Sequence, residues 1–212
     1  LVAEFARLKA RLAGQAPDPQ AVQSARAGLP GPSALDGLCE TFGLTGFERE
    51  LLLLCAGVEM DARLATLCAE GQGQAQRPFV TFGLALGALE QPHWSAITPV
   101  RPLRRWRLLE LEGGDGLSSA RLRIDERILH FLAGINYLDS RLQPMLRETA
   151  PAGLMAASHV AIVERIVDRL RADQDLSLLI QLTGDDRSGQ KDVAAAVCRR
   201  LGLQSYLLDA QD

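Results

Sequence analysis

The sequence predicts an α+β protein: a winged-helix-like, mostly helical N-terminal domain with a β-hairpin, followed by a partial α/β P-loop βαβ unit. Three observations predict it. Short segments over residues 33–90 carry apolar residues at helical spacing behind capping residues. Two alternating segments flank the turn "GGDG". Near the end, the apolar run "LSLLIQLTG" enters a loop framed by Gly184 and Gly189 and leaves it in an Ala-rich helix.

Taken in order, Leu1, Phe5, Leu8 and Leu12 share one face and predict a helix over 1–14. "GQAPDPQ" and "AGLPGPS" hold four of the ten prolines and read as loops. Ser33 opens a helix carrying Leu35, Leu38, Cys39 and Phe42, which Gly43 ends. Thr45 and Glu48 have capping-box spacing, so each can satisfy a free N–H of a first turn. The stripe Phe47, Leu51, Leu54, Cys55 and Val58 follows. Asp61 caps a further helix with Leu64, Leu67 and Cys68. "FVTFGLALGALEQ" reads as one more helix, weakened by Gly83 and Gly87, and "ITPVRP" as a loop.

In "LRRWRLLELEGGDGLSSARLRID", Trp106 and Leu108 alternate with Arg105 and Arg107, and Leu122 and Ile124 line the returning strand. Asp125 caps a closing helix with Ile128, Leu129, Leu132 and Ile135 on its buried side. Helices, then a hairpin, then a helix is the order of a winged helix, a helix-turn-helix variant, although other small α+β domains share it.

The predicted organisation is a domain over 1–142, a Pro/Gly-containing connection over 143–158, and the start of a nucleotide-module fold over 159–212. In the last, "HVAIVERIVDRLRADQD" is a helix with Val160, Val163, Val167 and Leu170 on one side. "QKDVAAAVCRRLG" is a helix ended by Gly202, and "LQSYLLDA" is a second strand, with the spacing of a parallel βαβ crossover.

The loop Gly184, Asp185, Asp186, Arg187, Ser188, Gly189, Gln190, Lys191 is the candidate binding site. The phosphate-loop pattern is G-x-x-x-x-G-K-[ST]. Both glycines match. Gln190 stands where a lysine should meet the β- and γ-phosphates, and Lys191 stands where a hydroxyl should hold Mg²⁺. Shifting a lysine by one helical position turns it by about 100°. Asp185 and Asp186 add negative charge where an anion should sit; Arg187 offsets part of it. The expectation is weak or absent ATP–Mg²⁺ binding and no hydrolysis by this chain. A structural turn that never met phosphate and an active ATP-binding and hydrolysing module are the competing readings.

Of 212 residues, 47% are apolar and 23% charged, with a net charge of -3, so a core is available and nothing global calls for nucleic acid. Residues 101–147 alone are net basic, with 9 basic against 6 acidic groups. Arg101, Arg104, Arg105 and Arg107 around Trp106 could meet phosphates, or could pair with Glu110, Glu112 or partner carboxylates. A reading helix should itself be basic, and "FERELLLLCAGVEM" and "DARLATLCAEG" are not, so nucleic acid is not the expected partner. His93, His130 and His159 have no second ligand at metal spacing, and no catalytic nucleophile–base set is legible. Cys39, Cys55, Cys68 and Cys198 form no C-x-x-C pair and read as buried free thiols of a reducing cytoplasm. No run approaches membrane-span length, so no membrane association is expected.

"LLIQLTGDDRSGQKDVAAAVCRRLGLQSYLLDA" resembles the opening of an AAA ATPase module. "LCETFGLTGFERELLLLCAGVEMDARLATLCA", "PLRRWRLLELE" and "LRIDERILHFLAG" resemble the winged-helix N-domain that precedes such modules in certain bacterial ATPases, some from phage-tail-like contractile systems. In that group a degenerate first module precedes an active second one. The resemblance implies a substrate- or adaptor-docking N-domain, a non-hydrolysing first module and a homo-oligomeric ring in a longer parent. The chain begins without Met and stops at "LLDAQD", so it is expected to be a piece of that parent. The acidic metal-and-water motif, arginine finger and sensor residues would lie beyond it.

Overall fold

The computed structural model describes residues 1–113, 116–150, 153–172 and 179–208. The chain forms two units, 1–137 and 138–212.

The first unit runs α1 (Val2–Leu12), α2 (Pro19–Ala27), α3 (Ala34–Phe42), α4 (Gly46–Met60), α5 (Ala62–Gly71) and α6 (Phe82–Ala88). A 3₁₀ turn (Trp94–Ile97), α7 (Pro102–Arg105), β1 (Leu109–Glu112), β2 (Arg121–Ile124) and α8 (Glu126–Leu132) complete it. α4 is the central helix. Its start is the expected capping box: the Glu48 amide donates to Thr45 Oγ1 at 3.2 Å, and the Thr45 amide donates to Glu48 Oε2 at 2.8 Å. The whole run Leu51–Ala56 is buried, more than the expected stripe. Neighbours on several sides explain this: α1, α3, α5 and β2 all pack against α4. α3 ends where expected, with Gly43 in the left-handed region (φ 63°), which only glycine enters without cost.

β1 and β2 pair antiparallel from Leu109↔Ile124 to Glu112↔Arg121. Leu122 and Ile124 face the core while Arg123 faces water. Along the other edge of β2 the Leu122 amide donates to Val80 O at 2.8 Å, and Thr81 bridges Arg121. β1 and β2 form a two-stranded sheet, and the single bridge at Thr81 extends it at one point. Burial lifts the Cys55 thiol well above its ordinary range and pushes Cys68 up to about 12.

Several expectations shift. α2 was not read from the sequence, although Asp18 caps it and Pro19 takes its first position. Residues 79–81 lie outside the helix, because Thr81 caps α6 while bridging Arg121 of β2. Trp106 and Leu108 precede β1 instead of alternating along it: Pro102 nucleates a helical turn and Arg107 (φ 52°) reverses the chain before Leu109. Ile135 lies past the end of α8 and is exposed.

The second unit contains a 3₁₀ turn (Gln143–Met145), β3 (Leu146–Glu148), α9 (Ala157–Ala172), α10 (Arg187–Arg200) and β4 (Tyr206–Leu208). α9 lays Val163, Val167 and Leu170 against Val193, Ala196 and Val197 of α10, with Leu182 and Leu201 at the margin. The alanines of α10 let the two helices approach. β3 and β4 pair antiparallel, Leu146↔Leu208 to Glu148↔Tyr206. The stretch 143–158, read as a connection, thus supplies a strand to this unit.

The parallel βαβ unit is not present among the described residues. Residues 179–183 form no strand, and Leu179 and Ile180 are exposed where a buried strand was expected. Positions 176–178 of that run lie outside the described residues. β4 instead takes its partner from Leu146–Glu148 in the opposite direction.

Candidate functional site

The loop expected to cradle phosphate closes on itself. Gly184 takes φ 136°, a conformation that favours glycine, and turns the chain toward α10. Asp186 is the N-cap: its Oδ1 accepts the Gly189 amide at 2.8 Å. The Gln190 amide donates to Asp186 O and the Arg187 amide to Asp185 O, each at 3.1 Å. Three of the four amides from 187 to 190 are therefore used within the chain. A phosphate needs these donors pointed outward at a helix N-terminus. Here the Gly189 amide points at the Asp186 carboxylate instead.

Gln190 occupies the lysine position and donates its Nε2 to Gly184 O at 2.9 Å, tying the loop across. Lys191 is exposed, one helical step round from Gln190. Gly189 is buried: a Cβ there would meet Asp186 Oδ2 at 2.3 Å and His159 Cε1 at 2.4 Å. His159 of α9 thus roofs the turn, with Nε2 3.9 Å from Asp186 Oδ2. The Asp-x-x-Gly spacing could have announced the cap; nothing in the sequence announced His159. Asp185 and Ser188 are exposed. Arg187, Gln190 and Lys191 line one side of a cavity of about 560 Å³ over α10, with Ile180, Leu182 and Tyr206 among the apolar and aromatic walls. The eight candidate residues are consecutive and share this turn, whose Gly189 amide is taken by the Asp186 carboxylate.

The second candidate is the basic segment of the first unit. In a helix-turn-helix the second helix reads the groove. The segment after α6 and directly before the hairpin is the 3₁₀ turn plus α7, over residues 94–105. The basic residues lie on this element after all. It is short: four residues of α7 rise on the order of 6 Å. Nor are all its arginines available. Arg101 donates to both carboxylate oxygens of fully buried Glu48, at 3.0 and 3.2 Å. Arg104 reaches Ile97 O at 3.3 Å. Arg105 lies 5.3 Å from the centroid of the Trp106 ring, and Arg107 is exposed. Among the described residues none of these arginines pairs with Glu110 or Glu112, the alternative read from the sequence beside partner carboxylates; Glu112 takes Arg123 at 3.0 Å, from the opposite strand. Among the described residues no cluster of three or more His, Cys, Asp or Glu could hold a metal, and no helix is long and apolar enough to cross a membrane.

Helices followed by a two-stranded hairpin, with only short helical pieces directly before it, have the layout of a winged-helix domain. A model of the family described as "Winged helix domain, variant" matches residues 5–146, more than half of the chain. The chain belongs to that family. No curated protein and no solved structure matches it. A winged-helix domain fits a DNA-binding or regulatory role.

Proposed function

We propose that the winged-helix unit is a regulatory docking domain for a protein substrate or adaptor, joined to the start of a degenerate, non-hydrolysing AAA module of a ring-forming ATPase. The observation that carries the reading is the Asp186 carboxylate on the Gly189 amide, where nucleotide phosphate would bind. The glycine frame and α10 support descent from a phosphate loop. Gln190 tied to Gly184 O and Lys191 turned outward support the loss of phosphate and Mg²⁺ chemistry. The short helical pieces directly before the hairpin support docking of protein over reading of a DNA groove.

The test is calorimetry with ATP–Mg²⁺ on the whole chain. No binding is expected at millimolar ATP. Removing the intramolecular cap and restoring the motif in one variant, Asp186→Ala with Gln190→Lys and Lys191→Thr, should create measurable affinity. No gain in that variant would favour the plain-turn reading. A second reading, a DNA-binding regulator, is favoured by one observation: Arg105 and Arg107 are exposed beside the wing. A salt-dependent shift of duplex DNA in a gel would support it.

A further inference from the structure

We propose that the turn between α7 and β1 is a docking surface for an acidic peptide segment with aliphatic anchors, carried by a partner protein. The proposal rests on the docking reading above and assigns that reading a surface and a partner chemistry.

Arg105, Trp106 and Arg107 are consecutive and all exposed. Trp106 is 54% exposed and nearby Val100 76%. The Trp106 ring is nevertheless held in place: it meets the Phe42 ring at 5.9 Å between centroids, and the Arg105 guanidinium lies over it. A fixed, half-exposed Trp beside arginines is the side-chain chemistry that dominates protein interfaces.

The charges point to the occupant. Neighbouring arginines are satisfied inside the domain: Arg101 by Glu48, Arg121 by Glu59 and Arg123 by Glu112. Among the described residues Arg105 has only its aromatic neighbour, and Arg107 has no carboxylate partner. Arg107 also holds φ 52°, a left-handed conformation that costs a residue with a Cβ and that glycine would adopt freely. The strain places a long cation at the surface instead of the residue the turn prefers.

Carboxylates suit the two guanidinium groups, and aliphatic side chains suit Trp106 and Val100. A duplex suits the surface less. α7, at four residues, is too short to follow a groove.

The experiment uses intrinsic fluorescence of the full chain. Trp94 and Trp106 are its only tryptophans, so a Trp94→Phe background isolates the surface. The probes are a dodecapeptide of alternating Glu and Leu, the same peptide with Lys for Glu, and a short mixed-sequence DNA duplex. The Glu/Leu peptide is expected to shift Trp106 emission saturably, with affinity falling as salt rises. Arg105→Glu with Arg107→Glu should weaken binding at least tenfold. Arg107→Gly should weaken it severalfold while raising Tm, a combination that a merely structural arginine would not produce. Absence of a spectral shift with every probe, or peptide affinity unchanged by the charge reversal, overturns the surface and leaves the docking reading standing. Tighter binding of the duplex than of the peptide overturns both.

Discussion

Arg101 closes a two-point hydrogen bond onto Glu48 from 53 residues away, at 3.0 and 3.2 Å, and Glu48 has no exposed surface. The same Glu48 carboxylate accepts the Thr45 amide at the start of α4. One side chain thus joins the entry of the central helix to the segment that leads into the wing.

Arg101→Met is therefore expected to destabilise the first unit by about 1–3 kcal/mol. A buried carboxylate left without its cation costs about 3–5 kcal/mol, and the partial exposure of Arg101 discounts that figure. Thr45→Ala should cost about 1 kcal/mol through the lost cap. Urea denaturation of each variant measures both. A change below about 0.5 kcal/mol for Arg101→Met would show that water replaces the guanidinium.

Gly57 lies where α4 meets α1 and α5. A Cβ there would come within 2.5 Å of Leu64 Cδ1 and 3.3 Å of the Phe5 ring. Gly57→Ala should destabilise by about 1–3 kcal/mol through overpacking, despite the better helix propensity of alanine. An unchanged urea midpoint would mean that Leu64 and Phe5 can both give way.

Glu4 is a buried carboxylate among Arg7, Arg49 and Arg26. Burial pushes its pKa up, but the Arg49 hydrogen bond and the charges of Arg49 and Arg7 outweigh burial and hold it below the usual 4.5. The folded pKa lies below the unfolded one, so the group stabilises the fold above pH 4.5. That stabilisation is lost as pH falls from 4.5 through the folded value. Glu4→Gln should be less stable at pH 7 and should show a flatter loss of stability below pH 4.5. Parallel curves of urea midpoint against pH for the two proteins would contradict this.

Cys55 and Cys68 are buried with raised pKa values, so few thiolates form at either and reagent cannot reach them. Iodoacetamide at pH 8 should leave both unmodified in the native protein and label them after denaturation. Mass spectrometry showing rapid native labelling at either site would require frequent opening of the α4–α5 pair.

Much of the helical unit was legible because its signals are local. Ser33, Thr45, Asp61 and Asp125 all cap the helices that their spacing announced, and Gly43 stops α3. What was missed depends on distant partners. Leu52, Leu53 and Ala56 break the one-faced stripe of α4, and only the surrounding elements make them core. The short pieces directly before the hairpin carry too few residues for a periodic signal, and the link of Val80 to Leu122 is a hydrogen bond that no sequence window contains. "LSLLIQLTG" looked like a buried strand by composition, but the described part of it has no pairing partner. In the loop, the unsuitable residues Gln190 and Lys191 were legible one by one. That Asp186 would cap the Gly189 amide, with His159 beside it, depends on the path of the folded loop.

The loop 184–191 is a self-capped turn, and on the function proposed above it no longer binds nucleotide. Calorimetric titration of the whole chain with ATP–Mg²⁺ tests it most directly. The expected result is no saturable heat up to millimolar nucleotide. A micromolar Kd that is lost in Lys191→Ala would contradict the claim and make this a working nucleotide site.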